Sequence, residues 1–294
     1  MMQKSRLLLV GIAFVTIPTK AQNVEWFDQI TPLTQAHQNL LNNNLEAMFN
    51  SLVEVWQLEH NKNIQSHLNE LLLQSLTVDC GKSLDKKPLP EWLKSITINR
   101  QEIQSPGRDA FHVDIEVDAE KPLADIRLAQ WVDKSLSTDS LLTTTSSDSV
   151  TGKTHYLKRY NLNSKITMGL YRLDITAKDQ QSWSAWIVLG EPKAKQIVRW
   201  ASKDQWQIEK KALLNPYCPL PELNVSLYDY IDGKYSEIWS QRYESEYPNE
   251  LEITNLAADR YVLAVSMTQQ RWQGPIIIEQ SQVISKTYDV SVDE

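Results

Sequence analysis

One stretch occurs twice, and it limits what the chain can fold into. The first copy is Tyr171 to Leu189, YRLDITAKDQQSWSAWIVL; the second is Tyr261 to Ile278, YVLAVSMTQQRWQGPIII. Both read Tyr-x-Leu-x-(Ile/Val)-(Ser/Thr), then Gln-Gln-x-Trp, then apolar residues, with one residue skipped to align them. Two further matches are collinear. Ile126-x-Leu128-x-x-Trp131-Val132-Asp133 pairs with Val225-x-Leu227-x-x-Tyr230-Ile231-Asp232, and Arg159-Tyr160 with Arg242-Tyr243. Their near-constant offset predicts a duplicated β unit of immunoglobulin size.

The period of the pattern supports strands. Phe111, Val113, Ile115 and Val117 alternate with His112, Asp114, Glu116 and Asp118, as a half-buried strand requires. Asp232-Gly233 signals a hairpin, and the Ser/Thr/Asp run Thr143–Thr151 reads as a polar loop. In strand parity, Trp183 and Trp272 are both predicted to face a core, with Trp186 and Val188 turned outward toward another domain or the helices. Tyr171 and Tyr261 are candidates for corner tyrosines, whose hydroxyls tie a loop to backbone.

The chain before this β region is different. Leu45, Met48, Phe49, Leu52, Val53 and Trp56 fall at helical spacing, as do Ile64, Leu68, Leu71, Leu72 and Leu76. A shorter helix begins at Pro32 and ends at Asn42-Asn43-Asn44. Gly81, Pro88 and Pro90 punctuate a basic stretch read as a linker. Residues 1–21 have the form of a signal peptide: Lys4 and Arg6, an apolar run from Leu7 to Ile17, then Thr19-x-Ala21, with cleavage before Gln22. The expected organisation is mainly β with an N-terminal α segment: signal peptide 1–21, helical segment 22–80 forming a short bundle, linker 81–95, then two tandem immunoglobulin-like β-sandwich domains, 96–202 and 203–294.

Export bears on the two cysteines. In an oxidising compartment Cys80 and Cys218 are expected to form a disulfide. Removing the signal leaves 294 − 21 = 273 residues and a charge of 27 − 37 = −10, which repels phosphate backbones and argues against a nucleic-acid partner. After signal removal no apolar run has the roughly 20 residues of a membrane helix, so no membrane insertion is expected.

No catalytic signature appears. The five histidines, His37, His60, His67, His112 and His155, form no His-Glu-x-x-His, and there is no Gly-x-Ser-x-Gly elbow or glycine-rich phosphate loop. His112, Asp114 and Glu116 on one strand face are a weak metal candidate, read first as a solvated edge. The ten tryptophans are more than the length requires. Trp131, Trp186, Trp200, Trp206 and Trp239 are the candidates for an exposed sugar-stacking or partner-binding set, against core packing as the plainer reading.

The signal peptide, the helical segment with Trp56 and the tract Leu162–Leu189 together resemble an uncharacterised family of secreted proteobacterial proteins with no assigned activity. The resemblance implies an envelope location and carries over no site residues. The sequence therefore supports a periplasmic or secreted, non-catalytic accessory or adaptor that binds another envelope protein and needs no cofactor. A glycan-binding module using exposed tryptophans is the alternative, and a metal-dependent enzyme the third reading.

Overall fold

The computed structural model describes residues 30–58, 62–148, 152–190, 194–253 and 256–290. The expected signal peptide and His60 lie outside these residues. The described residues are mainly β, with three helices among them at the N-terminal side: α1 (Pro32–Leu41), α2 (Leu45–Leu58) and α3 (Lys62–Asp79). Thr31 caps α1 by accepting from the Thr34 amide, and Pro32 occupies its first turn, where a missing N–H costs nothing. Asn43, at φ 54°, breaks the chain between α1 and α2.

Fourteen strands follow among the described residues: β1 (Leu93–Ser105), β2 (Arg108–Ala119), β3 (Leu123–Gln130), β4 (Lys134–Ser135), β5 (Ser140–Asp148), β6 (Lys153–Leu162), β7 (Gly169–Ala177), β8 (Ser182–Leu189), β9 (Gln196–Trp200), β10 (Trp206–Lys210), β11 (Glu222–Ile231), β12 (Lys234–Tyr243), β13 (Arg260–Gln273) and β14 (Ile276–Asp289). They form an eight-stranded sheet of order β12-β11-β13-β14-β1-β2-β6-β5, a four-stranded sheet β4-β3-β7-β8 and the hairpin β9-β10.

The large sheet crosses the expected boundary near residue 202. Strand β1 pairs in parallel with β14, from Thr97 opposite Ile277 to Gln104 opposite Ile284. The two halves are thus built on one continuous sheet, not on two separate pairs of sheets. One part of it, with Ile98, Val113 and Ile115, packs on Ile126, Leu173 and Ile187 of the four-stranded sheet. The other, with Val225, Val265 and Ile284, packs on Val198 and Trp206 of the β9-β10 hairpin. Gln196–Trp200, at the edge of the two expected copies, opens the second.

The internal repeat is real in topology and fails at tryptophan. The orders β4-β3-β7-β8 and β12-β11-β13-β14 match strand for strand. In the first copy the chain turns after Ala177, and Trp183 lies on β8 opposite Ile175, inside the core. In the second copy the chain does not turn there. β13 runs on through Gln269-Gln270-Arg271-Trp272-Gln273, and only Gly274-Pro275 reverses it. Arg271 and Gln273 therefore take the buried face, and Trp272 is turned away beneath Lys82, whose Nζ sits 4.4 Å from the ring centroid. The expectation of equivalent core tryptophans is corrected by that longer strand.

The inward side chains of the longer strand have their own role. β8 is an edge, and its backbone needs partners. Gln273 Nε2 donates to the Trp186 carbonyl (2.6 Å), its Oε1 accepts from the Val188 amide (3.0 Å), and Arg271 Nη2 donates to the Val188 carbonyl (2.8 Å). On β9, Gln282 does the same for both backbone groups of Val198. Glutamine side chains thus substitute for a neighbouring strand and lock each smaller layer onto the large sheet.

Two other expectations change. The Thr143–Thr151 stretch is not a loop as far as it is described. β5 reaches Asp148 and pairs with β6, because β-branched threonine suits an extended strand, and Thr143 Oγ1 donates to the Leu157 carbonyl across the pair (3.3 Å). The stretch 81–95 is no loose linker: Leu84 and Trp92 are buried, and β1 begins at Leu93. Its start runs against the β13-β14 turn, with Trp272 N–H donating to Cys80 O (2.9 Å) and Gly274 N–H to Gly81 O (3.0 Å). Both glycines are required there. Each has positive φ, and a Cβ would lie 2.1 Å from the Trp272 carbonyl at Gly81 and 1.8 Å from the Asp85 carbonyl at Gly274.

The helices cover the outer face of β7-β8. Leu52, Trp56, Leu68 and Leu72 pack with Leu170 and Val188, and Trp186 joins them from the side. Outward parity of Trp186 and Val188 is thereby explained by contact with the helices.

Candidate functional site

Alternation fixes what the other face of the large sheet presents. With Ile98, Val113, Val225, Val265 and Ile278 turned into the cores, the intervening residues must point the opposite way. They are Thr97, Asn99 and Gln101 on β1, Glu279, Ser281 and Ser285 on β14, Ser266, Thr268 and Gln270 on β13, and Glu222, Asn224 and Ser226 on β11. The sheet curls around them into an open trough of about 1520 Å³.

The floor is a ladder of short polar side chains. Ser281 Oγ donates to Asn99 Oδ1 (3.0 Å) and lies 2.8 Å from Thr268 Oγ1, linking three strands. Ser105 and Ser285 hydroxyls meet at 2.7 Å, and Asn224 Nδ2 donates to Ser226 Oγ (3.0 Å). Ser226 and Ser281 are buried although they face the trough, so the curl is tight at its base.

Charges stand on the walls. Arg159 on β6 grips Asp114 of β2 through Nε (2.8 Å) and Nη2 (2.6 Å), and Gln101 adds a bond to the same carboxylate (3.3 Å). Glu279 sits lower. Burial, reinforced by the charges of Glu116 and Glu222, pushes its carboxyl above the ordinary range. Tyr228 and Tyr235 stand toward the C-terminal end of β11, and Pro219 and Leu220 form a lip before its start. The arrangement can donate and accept many hydrogen bonds along an extended ligand.

Of the residues singled out from sequence, Glu116 lines the trough, and the cysteines and tryptophans have other places. Cys80 and Cys218 are joined, with S–S 1.93 Å, and the bridge fastens the chain just before the Pro219-Leu220 lip to the end of α3. Asn215 adds a second tie by donating to the Leu76 carbonyl at 2.7 Å. Trp131 and Trp186 meet edge to face, centroids 5.2 Å apart, against the helices. Trp206 is buried in the second core with Trp200 against it, centroids 6.3 Å apart, and Trp239 packs on the same core. None of these five lines the trough. Trp186 alone among them borders another cleft, of about 550 Å³, between α2 and β8 with Phe49, Lys86 and Arg172.

His112, Asp114 and Glu116 do share the outward face of β2, but Asp114 is taken by the Arg159 guanidinium, which repels a second cation. Among the described residues, no three His, Cys, Asp or Glu side chains are grouped to hold a metal ion. Also among them, no helix is long and apolar enough to cross a membrane.

The trough was missed from sequence because no single strand carries it. Its trace is the polar alternate positions of β1, β11, β13 and β14, which read one at a time only as solvated faces.

A search of curated proteins finds no match to the chain. A family model described as a protein of unknown function, DUF2861, matches residues 26–289, which takes in all three helices and every strand described above. The chain belongs to the DUF2861 family, whose function is unknown.

Proposed function

We propose that the protein is a non-catalytic accessory or adaptor of the bacterial envelope, periplasmic or secreted, and that it receives an extended segment of a partner protein in the trough. The trough itself carries this reading. Hydrogen-bonding side chains stand at regular strand spacing across β1, β14, β13 and β11, the arrangement that a peptide backbone and polar side chains can answer. The disulfide supports an oxidising compartment. The matching strand orders and the two corner tyrosines described below support descent of both halves from one immunoglobulin-like unit.

A photo-crosslinking residue in place of Thr268, at the trough floor, tests the proposal in intact envelopes. Crosslinks to one protein, lost when Ser266→Arg fills the trough in a chain that still folds, are expected. No crosslinked protein from Thr268 or from Tyr235 removes the trough as a protein-binding surface.

An oligosaccharide is the second reading, favoured by the amide and hydroxyl lining and by Tyr228 and Tyr235 at one end. The original form of that idea, stacking on exposed tryptophans, loses support from the packing of Trp131, Trp186, Trp200 and Trp206. A panel of cell-wall and polysaccharide fragments, read by protection of the trough crosslinker, separates sugar from protein.

A further inference from the structure

We propose that His37 of α1 and His67 of α3 form a two-imidazole site for a divalent transition-metal ion of the copper, nickel or zinc class, open to water on its remaining positions. Their Nε2 atoms are 2.8 Å apart across the helix pair. The ring centroids are 4.9 Å apart with planes inclined at 35°, so the rings meet tip to tip and are not stacked. Metal–imidazole bonds of about 2.0–2.1 Å put two adjacent ligand nitrogens about 2.9 Å apart at a right angle and about 3.3 Å apart at a tetrahedral angle. The observed gap is thus close to a bidentate bite. A small rotation of each ring aims both lone pairs at one point.

The surroundings suit such a site. Both rings are half-buried, which leaves a route for entry. α1 carries no Asp, Glu, Lys or Arg from Pro32 to Leu41, so no fixed charge on that helix competes for the ion or repels it. Among the described residues no third His, Cys, Asp or Glu completes a closed set. Without metal the two rings share a hydrogen bond; with metal they clasp α1 to α3 through coordination at the same atoms. The site shares no residue with the His112, Asp114 and Glu116 face or with the trough, and it is independent of the trough reading.

The test uses the untagged full-length mature chain titrated with copper(II), nickel(II) and zinc(II), each alone. One equivalent is expected to bind, copper tightest. Nitrogen hyperfine structure of the copper complex should report two imidazoles. His37→Gln and His67→Gln should each weaken binding by at least about tenfold, while His112→Gln leaves it unchanged. Metal should raise the thermal midpoint of the wild type and not of either variant. Binding unchanged in both variants overturns the proposal, as does a copper spectrum without two imidazole nitrogens. The spectrum is read on the wild type and decides the matter even if a variant fails to fold.

Discussion

Tyr171 and Tyr261 make the same bond from equivalent strands: each hydroxyl donates to the carbonyl of the residue four positions earlier, Thr167 at 2.7 Å and Ala257 at 3.0 Å. Both rings are buried. Each ties the loop that leads into its strand. Tyr171→Phe leaves the Thr167 carbonyl without that donor and should cost about 1–2 kcal/mol in urea unfolding. Tyr261→Phe should lower stability in the same direction. Because the two corners sit in different cores, the double variant should show the sum of the singles.

The glutamine substituting for a strand should matter more than its neighbour in sequence. Gln273→Ala strands the Trp186 carbonyl and the Val188 amide in a buried layer contact and should cost about 2–4 kcal/mol. Gln270→Ala, on the trough face, should stay within about 0.5 kcal/mol. Chemical denaturation of the pair checks the contrast.

The disulfide should stabilise the chain as a whole. Cys80→Ser with Cys218→Ser should cost about 2–5 kcal/mol, measured as the shift in denaturant midpoint. The double variant should also make the Pro219-Leu220 lip more susceptible to proteolysis, since Asn215 is then the remaining tie described near Cys218.

Two carboxyls should answer acid in opposite senses. At Asp118, burial acts to raise the pKa, but hydrogen bonds from His155 (2.7 Å) and Ser95 (2.8 Å) and the charge of Lys153 together hold it below the ordinary value. Its stabilisation is fully present above the unfolded carboxylate range and is lost as pH falls through the lowered folded pKa. Asp118→Asn should therefore flatten the loss of stability on acidification below about pH 4. Glu279, raised by burial and by Glu116 and Glu222, has the reverse sign. Protonation relieves it, so Glu279→Gln should stabilise the protein at neutral pH and lose that advantage in acid. Urea midpoints across pH decide both.

Local features were legible in the sequence and remote ones were not. Helical spacing from Leu45 to Trp56, the alternation of Phe111 to Val117 and the corner positions of Tyr171 and Tyr261 each depend on residues near in the chain, and each is seen. Trp272 falls outside the expected place because the motif around Gln269-Gln270 looks the same whether the chain turns there or only at Gly274-Pro275, 274 − 270 = 4 positions later. β5 was missed because threonine and serine serve loops and solvated edges alike. The trough was invisible for a third reason: Thr97, Glu279, Thr268 and Asn224 become neighbours only through pairing between distant strands.

The parallel seam between β1 and β14 sets an order of assembly. Thr97 meets Ile277, so 277 − 97 = 180 positions separate a strand from the neighbour that completes it. A chain delivered N-terminus first offers β1 to its surroundings with one edge bare until β14 arrives. A chaperone, or rapid pairing with β2 alone, has to protect that edge. Shortening the C-terminal end should therefore unsettle the beginning of the β region as much as its end.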